Sequence, residues 1–436
     1  MSSTDPVYWK PEEETLERPA LEAVQLERLR QTVARVCDRV PLYRTKFEQA
    51  TVRPEQIRSL DDLRRLPFTT SADLRASYPT GMLAVPLDET LRLHTSSGTT
   101  GKPKALFFSR QDIDNAAELI ARSFVATGMN RRDVFQNMMT YGLFTGALVA
   151  HYGAEKLGCL VIPAGPGNTD RQLLLMQDFH STAIHLTPSF ALYFADFLDK
   201  RGIDPRKDLS LRRAFVGAEP HSEETRHKIE DGLGVRAYNS YGLTEMNGPG
   251  VAFECQEQNG MHLWEDHFVM EVVDPESGEP LPPGERGELV LTTLVREAMP
   301  ILRYRTRDIT SIMPEPCLCG RTHRRIQRIT GRADDMLIVR GVNIYPQQIE
   351  RILMGVPGLG RNYLIVLDGL DEMTVKVELS EAGGDREIEG VAALGNEIAG
   401  LLRAEILTKP RIEIVPPGTL PVSEGKARRV IDKRKS

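Results

Sequence analysis

Cysteine is scarce in this chain, five among 436 residues, too few for the disulfide framework of an exported protein and consistent with a reducing cytoplasm. Long apolar runs are missing as well: none approaches the ~18 residues that a membrane span requires. The opening residues, MSSTDPVYWKPEEE, lack the basic and apolar regions of a secretory leader. Nor is there an excess of positive charge. The net charge of −6 argues against nucleic acid as a partner, because neutralising phosphates calls for a basic surface. What remains is an ordinary globular composition, 41% hydrophobic, with length for about two or three domains and a large core.

Residues 21–40, LEAVQLERLRQTVARVCDRV, place Leu26, Leu29, Val33, Val36 and Val40 on one helical face, with Cys37 beside it as a small core residue. From about 90 to 245, strand-like runs such as GCLVIPAG, TAIHLTPSF and RRAFVGAEP alternate with helical stretches. That alternation predicts an α/β core with ligands at strand ends. Near 267–313 the pattern becomes two β-runs around a Pro/Gly-rich turn, predicting an antiparallel β-subdomain (about 253–330) within an N-terminal domain of residues 1–332. After GRADD, 331–335, a strand, a short helix, two strands and a helix near 385–407 predict a small α+β C-terminal domain, 333–436.

The stretch HTSSGTTGKPK, 94–104, is rich in hydroxyls, glycines and lysine. It is not a Walker A loop: only two residues separate Gly98 from Gly101, and strand-like sequence flanks both sides where that motif opens a helix. Phosphate binding would come from backbone N–H groups, hydroxyls and lysine; a flexible hairpin tip is the alternative. Four further stretches carry chemistry of equal ambiguity. In AYNSYGLTEMNGPG, 237–250, Tyr241 suits a flat base and Glu245 a magnesium ion, or the stretch is a glycine turn with a surface acid. Asp308, ending YRTRD, has two acceptor oxygens for a ribose, or caps a strand. GRADD offers Arg332 and Asp334, or a solvated turn. Lys426, in PVSEGKARR, stands in a basic tail where solvated lysines are common.

Taken together and in order, SSGTTGKPK, YGLTE, YRTRD, GRADD and SEGKARR resemble the motifs of the adenylate-forming superfamily. GPGVAFECQEQNGMHLWEDHF, EAMPILRYRTRD, CLCGRTHRRI and RADDMLIVRGVNIYPQQIE resemble, more narrowly, the phenylacetate–CoA ligase family. The resemblance implies a two-step enzyme in which ATP activates an aryl-acetic acid as its adenylate, and coenzyme A then displaces AMP. It implies nucleotide contacts from Ser97, Gly98, Thr99, Thr100, Gly101, Ala218, Glu219, Pro220, Asn239, Tyr241, Gly242, Thr244, Asp308 and Arg332. It also implies Mg2+ at Glu245, catalysis by Lys426 and Glu245, and a mobile C-terminal domain hinged at Asp334. Family members commonly carry Asp where Asn239 stands. Tyr141, Phe144 and Ala147 beside Gly217 would frame the aromatic ring, or simply pack in the core. A homodimer suits the resemblance; transfer to a carrier protein is the alternative to free CoA. A zinc-stabilised scaffold without catalysis is the reading from another class.

Cys317 and Cys319 form C-x-C ahead of Gly320, and two thiols so placed can face one ion. Cys255 and His262 stand just before the β-subdomain that the C-x-C loop ends, with His267 and His323 in reserve. Two reduced surface cysteines are the alternative. Some relatives in the resembled family share the Cys, His and C-x-C arrangement, which implies a structural zinc.

Overall fold

The computed structural model describes residues 8–95, 103–340, 342–368, 372–380, 388–421 and 429–435. They form two compact units, one of residues 1–165, 181–185 and 238–328, the other of 166–180, 186–237 and 329–436.

In the first unit, helix Arg18–Arg39 buries Leu21, Gln25, Leu29, Thr32, Val33 and Val36. The buried stripe is tilted from the expected one because Gln25 and Thr32 spend their side chains on the carbonyls of Phe268 and Leu294, at 3.1 and 3.0 Å. Leu26 is therefore only half-buried, and so is Cys37, which is not the core residue expected. Strands Thr90–Thr95 and Ala105–Ser109 pair antiparallel, His94 opposite Leu106, so the glycine loop joins two strands as expected. Helix Arg110–Ala126 then starts at a capping box: Ser109 Oγ accepts from Asp112 N–H at 3.1 Å, and the Asp112 carboxylate accepts from Ser109 N–H at 3.0 Å. The Asp112 carboxylate also accepts the N–H groups of Glu297 and Ala298 at 2.7 and 3.0 Å. One cap thereby fixes a distant segment. Helix Thr145–Leu157 packs so closely on Arg110–Ala126 that a Cβ on Gly153 would lie 2.2 Å from Ile120.

Strand Val134–Asn137 runs parallel to Leu160–Ile162 and to Ala183–Leu186, the α/β pattern expected. Antiparallel strands Arg236–Leu243, Gly248–Glu254 and Met261–Leu263 follow. The β-subdomain pairs Phe268–Val273 with Gly287–Thr293, and the latter with Tyr304–Thr310. Its last pairing slips between Glu288 and Val290, opposite a stretch that contains Arg307 at φ +68°. Such a bulge re-aims the side chains beside it, and Asp308 is the next residue.

In the second unit, helices Thr169–Asp178, Pro188–Lys200 and Glu223–Leu233 accompany strand Arg213–Gly217. The C-terminal part has a hairpin, Leu337–Val339 with Val342–Ile344, and helix Pro346–Gly355. Its sheet is ordered Arg411–Val415, Glu372–Leu379, Leu359–Asp368, Val430–Asp432, antiparallel at the centre and parallel at both edges. Ile349, Leu353, Ile365, Val375, Ile398 and Leu402 close the core over helix Ile388–Ile406, each contributing about 1.5–3 kcal/mol by burial. Among the described residues no helix is long and apolar enough to cross a membrane.

Candidate functional site

Glu245 sits in the turn between strands Arg236–Leu243 and Gly248–Glu254, where Leu243 opposes Gly248. The turn is so tight that a Cβ on Gly242 would meet the Gly248 carbonyl oxygen at 1.9 Å, so only glycine fits there. The Glu245 carboxylate is buried, ion-paired with Lys104 and accepting from the Tyr304 hydroxyl at 2.9 Å. Burial alone would raise its pKa; the charge and hydrogen bond of Lys104, with the Tyr304 hydroxyl, outweigh burial and lower it. Beneath it, the buried Arg296 guanidinium donates to the carbonyls of Glu245 (2.6 Å), Met246 and Phe107 (3.1 Å). Burial pulls Arg296 down to about 10, against the charges of Asp112 and Glu245. The turn is thus pinned from below by the same segment that the Asp112 cap holds.

Asp308, buried beside the bulge, accepts from the Tyr241 hydroxyl at 2.7 Å, and its own N–H donates to Thr306 Oγ1 at 3.0 Å. The structure therefore joins two residues assigned separately to base and ribose. Thr244 Oγ1 lies 3.4 Å from Thr145 Oγ1, and Asn239 N–H donates to the Glu254 carboxylate at 2.7 Å. Tyr141 hydrogen-bonds Asn137 at 3.0 Å and His151 at 3.1 Å, burial pushing its hydroxyl up to about 12. Ala147 is buried, whereas Phe144 is 43% exposed and precedes helix Thr145–Leu157.

In the second unit, Gly217 ends its strand and Ala218 follows at φ +67°. Glu219 turns back to accept from the Ser189 N–H and hydroxyl, at 3.1 and 2.9 Å, at the start of helix Pro188–Lys200. Glu219, Pro220, Glu350, Tyr363 and Arg429 line one cavity. Arg332 grips Asp334 through two hydrogen bonds of 2.9 and 3.0 Å. Ser97, Gly98, Thr99, Thr100, Gly101 and Lys426 lie outside the described residues.

Three participants escaped the sequence reading. Lys104 was visible as the second lysine of SSGTTGKPK and Tyr304 as the first residue of YRTRD; nothing in the sequence marked Arg296.

The four expected metal ligands do converge. Donor atoms of Cys255, His262, Cys317 and Cys319 all lie within 4.8 Å of one another. Cys255 Sγ is 3.6 Å from Cys317 Sγ, and Cys319 Sγ is 3.3 Å from His262 Nε2. A tetrahedral zinc with sulfur at ~2.3 Å needs donor separations of about 3.8 Å, so the set fits that ion. His262 Nδ1 donates to the His323 carbonyl at 2.9 Å, which leaves Nε2 directed at the thiols. Hydrogen bonds with Cys255 and Cys317 hold the Cys319 thiol below its ordinary range, a thiolate-favouring setting. The reserve ligands are otherwise engaged. His323 Nδ1 accepts from Glu265 N–H at 2.8 Å, and His267 faces Asp266 at 3.5 Å. Cys159 stands apart, its thiol pushed up to about 12 by burial.

Comparison with known proteins sets this geometry among relatives. Residues 15–294 match the family model of the AMP-binding enzymes, and 341–434 that of the AMP-binding enzyme C-terminal domain. A phenylacetate–coenzyme A ligase of Thermus thermophilus is 48% identical, across 98% of this chain and 100% of its own length. One of Aromatoleum evansii is 45% identical, across 95% and 94%. The solved structure of a 2-hydroxyisobutyryl-CoA ligase in its postadenylation state, 30% identical, superposes with a TM-score of 0.94, covering 100% of this chain and 94% of that one. The same ligase in its thioesterification state gives 0.74 at 30% identity, covering 99% and 94%.

Proposed function

The chain belongs to the phenylacetate–CoA ligase family of AMP-binding enzymes, and from that premise we propose that it ligates a phenylacetate-like acid to coenzyme A at the expense of ATP. The observation that carries this reading is 48% identity extending over practically the whole of both chains. In the first step an oxygen of the acid attacks the α-phosphorus of ATP and pyrophosphate leaves. In the second, the CoA thiol attacks the acyl carbon and AMP leaves. A carrier-protein acceptor is not favoured, since the relatives at 43–48% identity are all phenylacetate–coenzyme A ligases.

The site residues take roles consistent with their surroundings. Asp308, braced by Tyr241, receives the ribose hydroxyls, and Tyr241 and Asn239 border the base. Lys104 offers a half-buried cation beside Glu245, where phosphate charge gathers. Glu245 is held ionised, which suits Mg2+; an ion there would share the carboxylate with Lys104 and neutralise phosphate oxygens. Lys426 supplies the positive charge that stabilises the first transition state, and Asp334 is the pivot. Cys255, His262, Cys317 and Cys319 hold a structural zinc with no open position. A homodimer belongs to the same reading.

The test is ATP–pyrophosphate exchange with a panel of aryl acids, followed by thioester formation with CoA. Exchange confined to aryl-acetic acids, and turnover only with CoA, is the expected result. Lys426→Ala should lower exchange by about 10²–10³ while sparing thioester formation from supplied phenylacetyl-adenylate. Absence of exchange with every acid in the wild-type protein defeats the proposal.

A further inference from the structure

Glu350 is a buried carboxylate that lines the cavity shared with Glu219 and Pro220. It projects from helix Pro346–Gly355, and its partners come from two other places. Thr225 Oγ1 donates to its Oε1 at 2.7 Å, and the Ser222 N–H reaches the same oxygen at 3.4 Å. Ser222 is the N-cap of helix Glu223–Leu233, so the negative charge meets the positive end of that helix dipole. The other oxygen, Oε2, accepts from the Tyr363 hydroxyl at 2.9 Å. Burial and the Glu350 charge push Tyr363 well above its ordinary value, so it remains a donor at any working pH.

This carboxylate therefore joins the C-terminal part of the chain to the 186–237 part, across 125 residues of sequence. A second fastener, Arg361 with Asp196 at 2.9 Å, is partly exposed and correspondingly weak. Tyr363 extends the link further. The Arg429 guanidinium lies 4.6 Å over its ring, three positions beyond Lys426 in the sequence. Strand Val430–Asp432, which follows, pairs in parallel with Leu359–Asp368, the strand that carries Tyr363.

We propose that Glu350 is a positioning residue for adenylate formation: through Thr225 on one side and Tyr363 and Arg429 on the other, it holds the C-terminal part where the lysine segment serves the first half-reaction, and it lets go for the second. The inference rests on the role given above to Lys426. It draws on the solved 2-hydroxyisobutyryl-CoA ligase, which this chain matches at 0.94 in the postadenylation state and 0.74 in the thioesterification state. Unlike Lys426, Glu350 need not touch a reacting atom. It sets the fraction of molecules competent for the first step, which scales the observed rate.

The experiment measures both half-reactions separately, pyrophosphate exchange and thioester formation from supplied phenylacetyl-adenylate. Variants are Glu350→Gln and Thr225→Val. A hydrogen bond to a charged group is worth roughly a tenfold change in an equilibrium or more. Glu350→Gln should therefore slow exchange about 10-fold while thioester formation holds or rises, with Thr225→Val moving the same ratio less. A structural lesion alone would lower both rates together. Equal losses in both half-reactions, or a wild-type ratio in both variants, overturns the proposal. If Glu350→Gln does not fold, the ratio in Thr225→Val decides. Failure of wild-type protein to exchange with any aryl acid would instead defeat the assigned activity.

Discussion

The Lys104–Glu245–Tyr304 group and the Cys255–His262–Cys317–Cys319 group are both built into the first unit, on opposite electrical plans. In the former, a carboxylate meets an ammonium and a hydroxyl, so each charge is answered inside the protein. In the latter, four donors that all present lone pairs converge on one point. The first arrangement fits the ligand-binding role proposed for it, because its charges are fixed before anything binds. The second makes physical sense with a cation at its centre. Burial is common to both, so burial by itself tells little about role.

The largest effect should come from upsetting the first group. Lys104→Met leaves Glu245 buried without its cation, and the burial that Lys104 offsets then dominates and raises the pKa. Pyrophosphate exchange should fall by about 10²–10³, and the acid limb of its pH profile should move to higher pH. The sign follows from the charged form: a carboxylate held low works down to low pH, and one raised stops working sooner. An unchanged profile would separate Lys104 from Glu245 and break the comparison.

Next comes the second group. Elemental analysis of protein purified without added metal should find about one zinc per chain. Cys319→Ser should remove it and lower Tm on the order of 10 °C, with activity falling only as the fold loosens. Fully stable, metal-free wild-type protein would show that the four donors coexist without an ion.

The smallest effect is a control from a buried imidazole outside both groups. Burial holds His185 down at about 4, whereas the thiols, working against burial, raise His262 to about 8. Unfolded, His185 takes up its proton near 6.5. Its contribution to stability is therefore complete above about pH 6.5 and is lost as pH falls toward 4. His185→Gln should flatten the fall of the unfolding free energy, followed by urea titration, over that window by at most about 1.4 kcal/mol per pH unit. His267, also held near 4 by burial, keeps the remaining slope. An unaltered slope in the variant would mean that His185 is not buried as a neutral ring.

How legible all this was depended on where the partners lie. The hairpin around the glycine loop, the parallel strands and the β-subdomain follow from local patterning that each segment carries by itself. Cys317 and Cys319 announce themselves by spacing, and Cys255 and His262 by residue type. Glu350 did not. It sits in an amphipathic helix where a glutamate reads as a solvated face, and its burial depends on Thr225, 125 residues away. The Tyr241–Asp308 bond was equally hidden, because a bulge aims Asp308 and bulges leave no periodic mark. Strands Arg411–Val415 and Val430–Asp432 were unread, being short edges that exist only through pairing with longer neighbours.

The Cys/His cluster draws its donors from two stretches of chain, Cys255 and Cys317 standing 62 residues apart. Everything between them, the three paired strands from Phe268 to Thr310 with Asp308 included, is a closed loop whenever an ion ties its ends. Closing a loop of that size removes conformational freedom from the unfolded chain worth about 4 kcal/mol, if the rule for covalent cross-links carries over. The ion would thus guard Asp308, the aspartate proposed to receive the ribose, without approaching it, by making the disordered alternative poorer in configurations.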